Sequence, residues 1–295
     1  MIQLFAADLD GTLLNFLHTV DGTILSSIRR ITDAGAHFVV ATGRTMRSNT
    51  EFGFEGNIAV ICSNGSIIFS ESDELLHHVP IDKAFLEELM RTFPDICLEA
   101  VGVRRSYVRG TREQREAGFR RDNPLRAIIM RGMRAKMNRD CCFEQTIAQV
   151  LAHDICKINA RVSDPGVERE LHDFLSEHAD HVVNAPFNPV MFEITARLAN
   201  KGTAVAWLAD HYGIPGDEIA VYGDGGNDIE MLTRFSNSYA TSNGSEAAKR
   251  AAGAVIGSCV FHAVPRHMMR TLATERARTA VERKKDGSEI RCQRS

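Results

Sequence analysis

The chain reads as an α/β protein: a doubly wound parallel sheet, Rossmann-like, with a smaller α+β unit inserted into it. Three observations predict this. Apolar runs at 2–7, 36–41, 58–62 and 219–222 each end in a loop of glycine and polar residues, and helical patterns separate them. The runs are nearly continuous rather than alternating, as strands buried on both faces require. The rhythm of strand and helix stops at about residue 82 and resumes near 201. Alternating strands and helices define a doubly wound sheet.

The first run leads into Asp8-Leu9-Asp10-Gly11-Thr12. Ile24, Ile28 and Ile31 then recur at helical spacing, and Gly35 follows as a C-terminal cap. The run at 36–41 ends at Thr42-Gly43-Arg44, and a further short helix leads to the run at 58–62, which ends at Ser63-Asn64-Gly65. In the middle of the chain the pattern predicts a helix over 83–93, with Phe85, Leu86, Leu89 and Met90 as its apolar positions. An Arg-rich stretch at 104–139, a helix at 142–151, a strand at 155–160 and a helix at 167–178 follow.

The α/β rhythm then returns with a helix over 202–212, the strand 219–222, a helix at 229–234, a short strand near Tyr239 and a helix at 245–252. The expected division is a core of 1–81 and 189–275, an inserted α+β unit of 82–188, and a basic tail of 276–295. The crossings fall near Pro80 and at 186–189.

Composition narrows the function. The chain has 295 residues, 44% hydrophobic and 25% charged, with a formal net charge of −3. That size supports a large core and two units, and the charge lacks the basic excess of a nucleic-acid binder. No apolar run approaches the roughly 20 residues that span a bilayer, and no secretory signal is evident. Seven scattered cysteines without a Cys-x-x-Cys pair fit reduced thiols in the cytoplasm. No His-Glu-x-x-His spacing supports a zinc enzyme.

Asp8 and Asp10 carry the strongest chemical signal. Two carboxylates held together raise each other's pKa, and a cation between them removes that cost. Oxygen ligands suit Mg²⁺, which usually sits beside phosphate groups. A second acidic loop, Gly223-Asp224-Gly225-Gly226-Asn227-Asp228, follows another strand more than 200 residues later. In doubly wound sheets ligands bind beyond the carboxyl ends of the strands, where strand order reverses. That rule brings the Asp8, Thr42 and Asp224 loops to one rim. Thr42 alone reads equally as a helix N-cap. Lys201 at a helix start is disfavoured by the macrodipole, which points to a purpose beyond the helix.

Asp8 to Thr12, Thr42-Gly43-Arg44, Lys201-Gly202 and Gly223 to Asp228 resemble the four motifs of the haloacid dehalogenase (HAD) superfamily. The interval of about 160 residues between the second and third motifs is similar to that of the Cof-type phosphatases, whose large cap is inserted there. The resemblance implies a Mg²⁺-dependent phosphatase acting on a small phosphorylated metabolite, with a sugar phosphate as the expected class. It implies Asp8 as nucleophile and Asp10 as general acid and base. The metal ligands would be Asp8, the backbone carbonyl of Asp10, and Asp224, with Asp228 orienting them.

Thr42, Gly43, Arg44, Asn64, Lys201 and Asn227 would face the phosphate or the substrate. Two alternatives are a phosphotransferase or phosphomutase on the same fold and a non-catalytic metabolite-binding regulator. The expected state is a monomer or small homo-oligomer, without nucleic-acid or membrane partners. Tyr239-Ala240-Thr241-Ser242-Asn243-Gly244 and Phe261-His262-Ala263-Val264 depart from the usual Cof-type segments.

Overall fold

The computed structural model describes residues 1–118, 138–185 and 191–274. Most of the Arg-rich stretch, the crossing at 186–189 and the tail 276–295 lie outside the described residues.

Five strands open the chain: β1 (Leu4–Ala7), β2 (His37–Ala41), β3 (Ala59–Cys62), β4 (Ile67–Phe69) and β5 (Leu75–His78). Helix α1 (Gly22–Thr32) joins β1 to β2. Asp21 caps its start, its side chain accepting from the Thr23 and Ile24 amides. Its end closes as predicted at Gly35: the Gly35 N–H reaches the Thr32 carbonyl and the Ala36 N–H reaches that of Ile31, with Gly35 at φ +81°.

The middle of the chain gives β6 (Leu98–Gly102), β7 (Ser106–Arg109), β8 (Cys141–Cys142), β9 (Ile155–Ala160), β10 (Val182–Asn184) and β11 (Phe192–Ala196). Its helices among the described residues are α2 (Lys83–Thr92), α3 (Arg112–Ala117), α4 (Ile147–Leu151) and α5 (Pro165–Glu177). The last third supplies α6 (Lys201–Tyr212), β12 (Ile219–Gly223), α7 (Ile229–Arg234), β13 (Asn237–Thr241), α8 (Glu246–Ala251) and β14 (Ala254–Ile256). A further helix runs over 263–274.

The strands form two sheets. The first has the order β14-β13-β12-β1-β2-β3-β4-β5, parallel from β14 to β3, with β4 and β5 added antiparallel at one edge. The chain winds outward in one direction from β1 through β2 and β3, and in the other through β12, β13 and β14. The switch therefore lies between β1 and β12, where Ala7 pairs with Tyr222.

Alternate strand residues fill two separate cores. Phe5, Phe38, Val60 and Tyr222 pack with Ile24, Ile28 and Ile31 of α1 and with Val264 and Met268 of the helix at 263–274. Leu4, Val39, Ile61 and Val221 pack with Val205 and Leu208 of α6, Met231 of α7 and Ala248 of α8. At the β5 edge Trp207 of α6 stacks on His77, with ring centroids 4.6 Å apart.

The second sheet has the order β10-β11-β9-β6-β7-β8. One face carries Leu98, Ala100, Ile158, Ala160, Phe192 and Ile194, which pack under Phe85 and Leu89 of α2 and Leu171 and Phe174 of α5. The alternate residues of β9 and β11, Lys157, Asn159, Glu193 and Thr195, lie on the other face.

Three details differ from the sequence reading. Residues 142–151 are not one helix, because Cys141–Cys142 pairs with β7 and helix begins only at Ile147. Thr146 fixes that start: it accepts from the Gln149 amide while the Gln149 side chain returns to the Thr146 amide. The short helix before β3 is a single 3-10 turn, Glu51–Gly53, with Phe52 at φ +59°. Phe192–Ala196, which the expected boundary at 189 assigns to the core, hydrogen-bonds to β9 and β10 in the second sheet. We therefore place the return crossing at 197–200.

Candidate active site

Four loops leave the carboxyl ends of the neighbouring strands β12, β1, β2 and β3. The loop after β1 is one wide turn. The Leu13 N–H reaches the Asp8 carbonyl at 3.1 Å, and the Leu14 N–H reaches that of Leu9 at 3.0 Å. Such single wide turns occur often at functional sites. Gly11 allows this turn. It sits at φ +78°, and a Cβ there would lie 2.2 Å from Asp224 Oδ2, so only glycine lets the two acidic loops meet. Thr12 donates its hydroxyl to Asp224 Oδ1 at 3.1 Å, and Thr241 and Asn243 donate to the Gly11 carbonyl.

Lys201 is the centre of the arrangement. It lies at the start of α6, capped by Asn200, whose side chain accepts from the Thr203 amide. Its Nζ donates to Asp8 Oδ1 and to Asp228 Oδ1, each at 2.6 Å, and both Lys201 and Asp228 are 0% exposed. Asp228 Oδ2 accepts the Asp224 and Gly225 amides, each at 2.9 Å. Both oxygens of Asp228 are thus occupied in holding the loop and the lysine. Burial works against the charge of Lys201, but Asp228 and Asp8 outweigh it and hold the ammonium protonated. Burial pushes the Asp8 carboxyl well above the ordinary range against the pull of Lys201, helped by the charges of Asp228 and Asp224. Burial and then Asp228 push Asp224 up to about 6.

Three carboxylates around one ammonium leave an excess of negative charge. One oxygen from each of Asp8, Asp224 and Asp228 lies within 4.8 Å of the others. This all-oxygen, electron-rich set fits a hard divalent cation. Asp8 and Asp224 are the donors not already committed to backbone amides.

Asp10 points elsewhere. Its side chain forms a two-pronged pair with Arg44, Nε to Oδ2 at 2.6 Å and Nη2 to Oδ1, and His18 Nδ1 approaches Oδ1 at 3.3 Å. Arg44 lies over the Phe52 ring at 4.6 Å. The Arg44 N–H donates to the Thr42 hydroxyl at 3.1 Å. Asn227 donates to Asn64 Oδ1 at 3.1 Å, and the buried Asn64 Nδ2 has no partner. Gly65, at φ +95°, would place a Cβ 2.3 Å from the Asn200 carbonyl. Its missing side chain lets the β3 loop close against the start of α6.

Every candidate from the sequence lies on this rim, in two groups. Asp8, Asp224, Asp228 and Lys201 form one contact set. Asp10 with Arg44, Thr42 with the Arg44 amide, and Asn64 with Asn227 beside Gly43 form the other. Sequence reasoning gave no role to Lys157, a cation 2% exposed in the apolar strand β9. Its Nζ donates to Glu193 Oε1 at 2.6 Å and to the Gly43 carbonyl at 3.0 Å. A lysine among the mostly apolar residues of 155–160 was the available signal for a buried charge, but it carried no information about the partner.

The chain matches the family model of haloacid dehalogenase-like hydrolases over residues 5–268. It is 27% identical over 260 residues to the 5-amino-6-(5-phospho-D-ribitylamino)uracil phosphatase YitU of Bacillus subtilis, covering 84% of this chain and 90% of that one. It is 26% identical over 292 residues to the phosphatase YwpJ of the same organism, covering 92% of this chain and all of the other. A solved haloacid dehalogenase-like hydrolase from B. subtilis superimposes with a TM-score of 0.75 at 24% identity, over 90% of this chain and 99% of that chain. The chain belongs to the haloacid dehalogenase-like hydrolases and, within them, to the Cof-type phosphatases.

Proposed function

We propose that the protein is a Mg²⁺-dependent phosphatase that hydrolyses a small phosphorylated metabolite through an aspartyl-phosphate on Asp8. The single observation that carries this reading is the Lys201 ammonium held at 2.6 Å from both Asp8 and Asp228 beside Asp224. The attack of a carboxylate on a phosphate dianion needs concentrated positive charge in a shielded site.

Asp8 attacks phosphorus, the ester P–O bond breaks, and Asp10 gives its proton to the departing alcohol oxygen. Water then attacks the phosphorus of the phosphoaspartate, Asp10 takes the water's proton, and the bond to Asp8 breaks to release orthophosphate. Lys201 holds Asp8 in place and neutralises charge on the phosphoryl oxygens, to which Thr42 and the Gly43 amide also donate. Asp8, the carbonyl of Asp10 and Asp224 would hold Mg²⁺, which when bound supplies Lewis-acid polarisation of the phosphoryl group. Arg44 must release one oxygen of Asp10 for proton transfer.

A sugar or polyol phosphate is the substrate class this reading favours. Asn159 Oδ1 and Thr195 Oγ1 are buried without partners on the same sheet face as Lys157, so they suit a leaving group rich in hydroxyls. The YitU name describes a phosphorylated ribityl chain. The cytoplasm is the expected compartment, since Cys62, Cys97, Cys142, Cys156 and Cys259 are free thiols; separately, no described helix is long and apolar enough to cross a membrane.

The test is release of phosphate from p-nitrophenyl phosphate with Mg²⁺. Asp8→Asn is expected to lose turnover by at least about 1,000-fold, a conservative share of the acceleration such enzymes provide. Near-native turnover would reject the nucleophile and the proposal with it.

A further inference from the structure

Lys157 has no part in the chemistry above, yet it spans the two sheets. Its register partners are Val101 on β6 and Thr195 on β11, and the buried Oγ1 of Thr195 has no partner. The ammonium bypasses that oxygen. It takes Glu193 on its own sheet and then the Gly43 carbonyl at the end of β2, in the other unit. A structural ion pair needs only the first contact.

The second contact falls on a peptide with a defined role. The Gly43 carbonyl and the Arg44 N–H belong to one planar group. Lys157 holds the oxygen of that plane, and its N–H donates to the Thr42 hydroxyl oxygen at 3.1 Å. With that oxygen accepting, the hydroxyl hydrogen is left to donate outward. A charged donor at one end polarises such a chain of hydrogen bonds. The same loop is tied in the reverse sense by Arg47, whose guanidinium donates to the carbonyls of Gly102 and Val103 and to Ser106 Oγ at 3.1 Å.

We propose that Lys157 is a positioning residue: seated against the core, it orients the Gly43–Arg44 peptide and through it the Thr42 hydroxyl that binds phosphate. This rests on the phosphatase reading of the Thr42 loop. The second unit thereby orders the phosphate site as it docks, without touching the phosphate.

The experiment compares the wild type with Lys157→Met/Glu193→Leu and with Lys157→Arg. Replacing both members of a buried pair by apolar groups is often neutral for stability, so the double variant is expected to melt near the wild-type temperature. Inhibition by orthophosphate should weaken about tenfold and KM for p-nitrophenyl phosphate rise similarly, with kcat within threefold, as expected for lost uniform binding. Hydrogen exchange at the Arg44 amide should quicken. Lys157→Arg should restore most of the phosphate affinity.

A folded double variant with unchanged phosphate inhibition and unchanged Arg44 exchange would overturn the proposal. If the double variant does not fold, Lys157→Gln decides by the same two readouts. A wild type without turnover would end the phosphatase reading alone, because exchange at Arg44 still reads the contact.

Discussion

At residue scale, the site depends on side chains that are absent as much as on those present. Gly11→Ala would force a methyl group into Asp224 at a backbone angle that alanine avoids. Activity is expected to fall at least about 100-fold, given that small misplacements of reacting groups cost about that much. A thermal melt showing a folded variant with wild-type turnover would contradict this. Asp228→Ala would leave Lys201 with one carboxylate and strand the Asp224 and Gly225 amides. Breaking a buried pair by removing one partner costs roughly 3–5 kcal/mol, so the urea midpoint should drop along with activity.

Most of the candidate site residues were legible in the sequence because they sit in short motifs at strand ends. Lys157 and Asn243 were not. Their partners, Gly43 and Gly11, lie 114 and 232 residues away in the chain, and no local pattern announces such a contact.

At the scale of elements, the parallel strands and the helices between them could be read from apolar runs and helical spacing. The antiparallel pair β4–β5 and the six-stranded order of the second sheet could not. Pairing such as β6 with β9 is fixed by the fold of the whole unit, whereas periodicity reports only one strand at a time. Helix α6 is held by burial of Val205 and Leu208. Leu208→Ala is expected to cost about 2–5 kcal/mol, the range for emptying a well-packed core position, and chemical denaturation would measure it.

Glu71 ties three elements. His37 at the start of β2 approaches its Oε1 at 2.9 Å, and the Tyr212 hydroxyl at the end of α6 donates to its Oε2 at 2.7 Å. The His37 bond, then that of Tyr212 against the opposing effect of burial, lowers the Glu71 carboxyl from 4.5 to about 2. A carboxylate lowered in the folded state contributes stability that is present above the unfolded pKa. That contribution is lost as pH falls from about 4.5 through about 2. The stability gap between the wild type and Glu71→Gln should therefore be level at pH 6 and smaller at pH 3. An equal gap at both would contradict the assignment.

At the scale of the whole molecule, the switch of winding direction between β1 and β12 sets two acidic loops side by side. Binding a cation there should stabilise the folded state by mass action. Adding MgCl₂ is expected to raise the melting temperature of the wild type, and the rise should vanish in Asp224→Asn. A shift that survives in that variant would place the cation elsewhere.

The tryptophan at the β5 edge has a practical consequence. Trp207 is the sole indole in the chain, and its ring stacks on an imidazole just ahead of the connection into the inserted unit. Its emission is therefore an unlabelled optical gauge of that connection. A stopped-flow trace at a single wavelength would report any change in the packing of that indole during turnover, with no dye attached.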